Sequence, residues 1–130
     1  WPVRVYYEDT DAAGVVYYAN YLKFMERART EWLRALGFEQ TVLKQEHNVV
    51  FVVRTLTMDF ERPALFNDAL DVTVALTAGR GSVLEIAQRI RRGQHELVTG
   101  NVGIACVNTQ SFKPVRIPQS LLQKLAMRQA

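Results

Sequence analysis

Residues 18–37 read YANYLKFMERARTEWLRALG, a long stretch in which apolar side chains recur at steps of three or four residues. The recurring positions are Tyr21, Met25, Ala28, Trp32 and Ala35. Charged and polar side chains lie largely on the opposite face, as in an amphipathic helix. Gly37 is a natural C-terminal stop. The pattern predicts a helix over about Tyr18–Leu36, with one apolar face that must pack against another element.

The sequence on both sides of this helix has the two-residue period of β-strands. Before it, Val3, Val5 and Tyr7 alternate with polar neighbours and predict a short first strand. After it, alternating runs predict four strands in chain order, Leu56–Phe60, Leu70–Thr77, Val83–Arg92 and about Glu96–Asn108. A short final helix is predicted over Leu121–Met127.

The turns between these strands decide the fold class. Gly79 and Gly81 mark one turn, and Gly93 with Gln94 marks another. Short turns join only antiparallel neighbours, because a parallel pair needs a long crossover. A helix and a sheet that each have one apolar face pack most simply against each other. We therefore predict an α+β fold, one long helix wrapped by a single antiparallel sheet, with residues 1–130 as one domain.

Composition and charge exclude several classes of protein. Hydrophobic residues make up 48% and charged residues 22%, as in an ordinary globular protein. A net charge of +3 is too weak to indicate nucleic-acid binding. No apolar run approaches the roughly 20 residues that a membrane-spanning helix needs.

The cysteine and the histidines predict neither a disulfide nor a metal site. Cys106 is the only cysteine and lies in an apolar run, which predicts a buried, inert thiol and fits a cytoplasmic location. His47 and His95 lie in polar, turn-like settings with no further ligand at a suitable spacing. We expect no metal ion and no other cofactor.

The segment between the first strand and the long helix carries the candidate chemistry. It places Asp9 and Asp11 two residues apart, followed by Gly14. A helix N-terminus presents free N–H groups that can stabilise a carbonyl oxygen as it gains negative charge. A carboxylate just before it is suited to act as a nucleophile or base. Gly14 permits a tight turn or the close approach of a ligand.

Three interpretations of the two aspartates compete. In the first, both are turn-formers or helix caps. In the second, Asp-x-Asp is the motif of haloacid-dehalogenase phosphatases. That motif usually has Thr or Val where this chain has Ala13, and it requires a parallel α/β sheet. The order of elements excludes this second interpretation. The third interpretation is a resemblance to a known family.

Residues 3–17 and 21–31 carry this resemblance. They read Val-Arg-Val-Tyr-Tyr-Glu-Asp-Thr-Asp-Ala-x-Gly-Val-Val-Tyr and Tyr-x-x-x-x-Glu-Arg-Ala-Arg-Thr-Glu. The match resembles the signature of the 4-hydroxybenzoyl-CoA thioesterase family, most closely its acyl-CoA thioesterases associated with the Tol–Pal cell-envelope system. The resemblance implies a hotdog fold and hydrolysis of an acyl-CoA to a free acid and coenzyme A, with no metal or redox cofactor.

The resemblance also implies roles for individual residues. Asp11 would attack the thioester carbonyl or activate a water molecule. The backbone N–H of Tyr18 would polarise that carbonyl. The Tol–Pal branch often has His where this chain has Tyr18, so a possible imidazole is lost while the backbone donor is kept. Arg80 and Ser82 would bind the phosphates of coenzyme A, and the further candidates for substrate binding are Tyr17, Gly14 and Arg54.

Several alternatives stay open at this level. Acyl carrier protein could replace coenzyme A as the acyl donor. Hotdog hydratases and dehydratases use a His with a carboxylate, and neither His here belongs to the signature segment. A binding or scaffolding role in the envelope or phospholipid pathway is the non-catalytic alternative, and it gives no reason for an intact Asp11 motif. By resemblance, we expect a homodimer or a homotetramer with sites at subunit interfaces.

Overall fold

The computed structural model describes residues 1–129 and has the predicted α+β architecture. The strands are β1 Pro2–Arg4, β2 Val49–Phe60, β3 Ala69–Val72, β4 Ala75–Arg80, β5 Val83–Arg92 and β6 His95–Asn108. The helices are α1 Tyr18–Ala35, α2 Gln40–His47 and α3 Gln119–Gln129, and a 3-10 turn covers Tyr7–Asp9. None of the helices in this described part is long and apolar enough to cross a membrane.

All six strands join one antiparallel sheet in the order β1-β3-β5-β6-β2, and β4 also pairs with β5. The two longest strands, β2 and β6, pair along almost their whole length, from Val49 opposite Asn108 to Phe60 opposite Val98. The hairpin between β5 and β6 turns at Gly93, as predicted. β2 therefore lies at one edge of the sheet, and its last residue lies near the N-terminal end of β6.

Helix α1 packs its apolar side against the sheet and contributes to both clusters of the core, Tyr21 to Ala28 to one and Leu33 to the other. Tyr21, Met25 and Ala28 are buried as predicted. Phe24 and Leu33 are buried as well, because the sheet covers a wider sector of the helix than a single stripe. The predicted stripe is wrong at Ala35, which is exposed, and Trp32 is only half-buried.

The strand predicted over Leu70–Thr77 is two strands. β3 ends at Val72 and β4 begins at Ala75, and both lie along the same edge of β5. At the break, the Arg89 N–H donates to the Thr73 side-chain oxygen at 3.0 Å instead of to a backbone carbonyl. The prediction placed the segment correctly but missed this interruption of the backbone ladder.

Three smaller predictions also need correction. β1 ends at Arg4, so Tyr7 lies outside the strand and is 80% exposed. Gly79 belongs to β4, and the turn is made by Gly81, whose φ of +63° lies in the left-handed region. His47 ends the unpredicted helix α2 instead of lying in a turn. The final helix is confirmed and is longer than predicted.

Candidate active site

Asp11 lies at the tip of a small hairpin that joins β1 to α1. Thr10 pairs with Val16 across the hairpin, and the Asp11 N–H donates to the Val15 carbonyl at 2.9 Å. The Gly14 N–H donates back to the Asp11 carbonyl at 3.0 Å. Gly14 has a φ of +82°, which a residue with a side chain rarely adopts. The hairpin therefore explains Gly14 as a turn residue.

The Asp11 carboxylate is exposed and only partly engaged. Its Oδ1 accepts a hydrogen bond from the Ala13 N–H at 2.8 Å, a contact typical of turn-forming aspartates. Among the side chains that the structure describes, none donates to Oδ2. Asp11 thus does form the turn, as the first interpretation holds, and it keeps one oxygen free for chemistry.

Asp9 has a different role, which joins the hairpin to the helix. Its Oδ2 accepts from the Tyr6 N–H at 2.8 Å, so its carboxylate shapes the preceding 3-10 turn. Its backbone carbonyl accepts from the Tyr17 N–H at 3.0 Å and from Asn20 Nδ2 at 2.9 Å. Asp9 therefore shapes the turn, as the first interpretation holds.

Tyr18 is the first residue of α1 and is placed as the resemblance requires. The first N–H groups of a helix have no acceptor within it, and the Tyr17 side chain does not cap them. These groups also carry the positive end of the helix dipole. The rings of Tyr17 and Tyr18 are 4.8 Å apart, and a hydrogen bond between their hydroxyl groups raises the pKa of Tyr17.

A cavity of about 250 Å³ opens beside this helix start. Its lining is Val16, Tyr18, Tyr21, Phe60, Glu61, Arg62 and Pro63. The ring of Phe60 lies 6.4 Å from that of Tyr18 and 5.7 Å from that of Tyr21, centroid to centroid. The cavity is therefore walled by aromatic rings on the side of the helix N-terminus, and Asp11 belongs to the hairpin next to it rather than to its lining.

Sequence reasoning did not select Tyr21 or Phe60 as site residues. The apolar stripe predicts only a core position for Tyr21, and the alternating pattern predicts only a strand position for Phe60. The only sequence signal for Tyr21 was its inclusion in the family signature. Phe60 comes to the site because β2 crosses the sheet and ends at this position, which is a property of the pairing and not of the local sequence.

Within one chain, the structure separates the predicted phosphate-binding residues from this cavity. Arg80 ends β4 and Ser82 follows in the turn before β5. Val83 pairs with Ala105 of β6, whereas Phe60 pairs with Val98. Seven residues of strand correspond to about 23 Å. Arg54 lies midway along β2, at a register shift in its pairing with β6, and is exposed.

A second groove and the question of a metal site also bear on ligand binding. A larger groove of about 570 Å³ runs between the N-terminal segment and the outer face of α1, and its lining includes Asp9 but neither Asp11 nor Tyr18. Over the described residues, no group of three or more His, Cys, Asp or Glu side chains is arranged to hold a metal ion. His95 lies at the start of β6 with its Nδ1 3.0 Å from Arg62 Nη1.

Comparisons with known proteins show similarity over most of the chain. Residues 5–125 match the family model described as "Thioesterase-like superfamily". The chain is 46% identical over 121 residues to the acyl-CoA thioesterase YbgC of Haemophilus influenzae, covering 93% of this chain and 89% of that protein. Likewise, 123 residues are 46% identical to the acyl-CoA thioester hydrolase YbgC of Escherichia coli, covering 94% and 91%.

A solved structure extends this agreement to three dimensions. The probable thioesterase from Bartonella henselae superposes with a TM-score of 0.87 at 40% identity, covering 91% of this chain and 97% of that one. The hotdog fold expected from the resemblance is confirmed. The chain belongs to the thioesterase-like superfamily.

Proposed function

We propose that this protein is an acyl-CoA thioesterase that hydrolyses an acyl-CoA to a free acid and coenzyme A. The observation that carries the proposal is the Asp11 hairpin beside the exposed N-terminus of α1. One carboxylate oxygen is free there, and the Tyr18 N–H at the start of α1 has no hydrogen-bond acceptor among the described residues. Relatives named as acyl-CoA thioesterases, which align over most of the chain, support the same activity.

The proposed reaction needs a nucleophile and a donor to the carbonyl oxygen. The Tyr18 N–H stabilises this oxygen as the tetrahedral intermediate forms. Asp11 either attacks the carbonyl carbon directly or takes a proton from the water that does. The carbon–sulfur bond breaks, the thiolate of coenzyme A takes up a proton, and water supplies the second oxygen of the acid. The residues need no metal ion or redox cofactor for these steps.

The acyl group would occupy the aromatic-walled cavity beside Tyr18, and the phosphates would lie outside it. If a second copy pairs antiparallel along β2, the Phe60 end of one chain lies beside the Val49 end of the other. The Arg80 hairpin of the second copy lies at that same end of its sheet. We therefore propose a homodimer, alone or as half of a homotetramer, in which Arg80 and Ser82 of one copy bind the phosphates at the other's site.

The decisive experiment measures thiol release from short-chain, long-chain and aromatic acyl-CoAs and from an acyl carrier protein substrate. We expect Asp11→Asn to lose about 10²- to 10⁴-fold in kcat, because the amide can neither attack nor take a proton. Asp9→Asn is the matched control and should stay within a few-fold of the parent, since an amide oxygen can still accept from the Tyr6 N–H. Equal turnover in the parent and Asp11→Asn would contradict the proposal.

A second measurement tests for a nucleophilic Asp11. In single turnovers in ¹⁸O-labelled water, a nucleophilic Asp11 forms an acyl anhydride, and water attack at its aspartyl carbon leaves label in the carboxylate. Activation of water places all label in the released acid, although water attack at the acyl carbon of an anhydride would do the same. Mass spectrometry of the peptide that contains Asp11 detects the label.

If thiol is released only from the carrier-protein substrate, the acyl donor is acyl carrier protein and not coenzyme A. A cytoplasmic location remains a prediction, supported by the single buried cysteine.

A further inference from the structure

Tyr21 is buried and its hydroxyl is hydrogen-bonded to the backbone, yet the proposed reaction gives this hydroxyl no part. Tyr21 lies one helical turn after Tyr18 on α1 and is only 3% exposed. The Ala64 N–H donates to Tyr21 Oη at 2.9 Å. Ala64 follows Pro63 in the connection between β2 and β3 and is itself fully buried. Tyr21 therefore fixes the position of a buried peptide 43 residues away.

The same residue, Ala64, also holds the Asp11 hairpin. Its carbonyl accepts from the Val16 N–H at 2.9 Å, and Val15 pairs with Leu65. Val16 in turn pairs with Thr10 across the hairpin. A continuous set of hydrogen bonds thus runs from the Tyr21 hydroxyl through Ala64 to the strands on either side of Asp11.

We propose that Tyr21 is a positioning residue that holds the Asp11 hairpin in register with the N-terminus of α1. Tyr21 and Tyr18 belong to the same rigid helix, so the hydrogen bond to Ala64 sets the distance between the Asp11 carboxylate and the Tyr18 N–H. This inference rests on the proposed function of those two groups. Asp9 anchors the other strand of the hairpin through Tyr17 and Asn20, so both of its strands are tied to α1.

The structure also explains why a phenol is required at this position. The edge of the Tyr21 ring packs with Phe24 and Phe60, and a phenylalanine would keep those contacts. It would leave the Ala64 N–H buried without an acceptor, and the peptide would shift to find one. A displacement of about 1 Å between catalytic groups lowers turnover by up to 10²-fold. The loss is expected mainly in kcat, because a phenylalanine keeps the aromatic ring that Tyr21 contributes to the cavity wall.

The first test compares Tyr21→Phe with Gln88→Met in the full chain, using the acyl-CoA that the parent hydrolyses best. Gln88 is also fully buried and donates to the Met25 carbonyl at 3.1 Å, and its other hydrogen bonds, with Arg29 and the Thr73 carbonyl, likewise lie outside the hairpin. Both variants should lower the melting temperature. We expect kcat to fall about 10- to 100-fold in Tyr21→Phe, with KM within twofold. In Gln88→Met kcat should stay within twofold.

A second test does not depend on turnover. Amide hydrogen exchange in Tyr21→Phe should be at least tenfold faster at Val16 and Asp11 than in the parent, and unchanged at Cys106, whose N–H donates to Ser82. If Tyr21→Phe does not fold, Ala64→Gly frees the same backbone and is expected to change exchange and kcat in the same direction. Unchanged exchange at Val16 and Asp11 would overturn the inference.

A double variant tests whether Tyr21 acts through Asp11. In the Asp11→Asn background, Tyr21→Phe should cause no further loss of residual turnover. The positioning role would be overturned if the kcat losses of Asp11→Asn and Tyr21→Phe multiply fully in the double variant. It would also be overturned if Gln88→Met loses as much kcat as Tyr21→Phe. If Asp11→Asn alone keeps parental turnover, the proposed reaction fails instead, and the exchange data still decide whether Tyr21 holds the hairpin.

Discussion

At the scale of single residues, Cys106 offers a direct check on the core. It is fully buried on β6, and burial raises the pKa of its thiol to about 11. Only the thiolate reacts with alkylating reagents. At pH 8, iodoacetamide should therefore leave the folded chain unmodified over an hour and label the denatured chain completely, as read by intact mass. Rapid stoichiometric labelling of the folded chain would show that this part of β6 opens readily.

Residue roles could be predicted only where they depend on adjacent sequence. The Asp11 hairpin and Tyr18 at the helix start belong to one continuous segment, and the resemblance to the family signature implies their roles, which stay predictions. The contact between Tyr21 and Ala64 spans 43 residues and depends on where the β2–β3 connection passes. The local sequence around Tyr21 contains no trace of it. The roles of Arg80 and Ser82 depend on a second copy and stay predictions.

At the scale of elements, the β5–β6 hairpin has a pH-dependent contribution to stability. Glu96 of β6 accepts from Arg89 at 2.6 Å and from Arg91 at 3.1 Å. The hydrogen bond from Arg91, followed by the charges of both arginines, lowers the pKa of Glu96. A lowered folded pKa gives stability that is present above the ordinary carboxyl pKa and is lost as the pH falls through the folded value.

The matching experiment measures thermal unfolding of Glu96→Gln from neutral to acid pH. We expect the variant to melt a few degrees below the parent at pH 7, and the difference should disappear in acid, where Glu96 of the parent is protonated. Glu85→Gln on β5 is the control. Among the described residues Glu85 has no ion pair, and its replacement should change melting little at any pH. A difference that persists unchanged in acid would contradict the role of the charge.

Length alone did not make an element predictable, since only Leu56–Phe60 of the 12-residue β2 was predicted. α1 and β5 were predicted almost to the residue because each has several buried positions at a regular spacing. α2 escaped prediction because Leu43 is its only buried residue. The break between β3 and β4 escaped because a Thr73 hydroxyl replaces a backbone acceptor, and threonine is an ordinary strand residue.

At the scale of the whole molecule, β2 leaves a long edge of the sheet open in the isolated chain. Its 12 residues form one edge of the sheet, so one row of backbone groups has no strand partner in the described chain. Val53 and Phe60 on this strand are 54% and 51% exposed. A long, apolar, open edge of this kind pairs with another strand or aggregates. The proposed pairing with the β2 of a second copy would satisfy both the backbone groups and the apolar side chains.

Charged side chains introduced at this edge should therefore prevent assembly without unfolding the chain. We expect Val53→Lys, and more strongly Val53→Lys with Leu56→Lys, to convert the assembly to single chains in sedimentation or light-scattering measurements. Far-UV circular dichroism should be kept, because both side chains are already exposed in the isolated chain. Val42→Lys is the matched control, since Val42 is an exposed apolar residue on α2, and it should leave the mass unchanged.

The same variants test whether the active site is complete in one chain. If phosphates bind to Arg80 and Ser82 of a second copy, the dissociated chain keeps Asp11 and Tyr18 but loses those contacts. The value of KM for acyl-CoA should then rise at least tenfold, and a substrate truncated to the pantetheine arm should show a smaller difference between variant and parent. A parent that is already monomeric, or a dissociated variant with parental KM, would show that each chain binds its substrate alone.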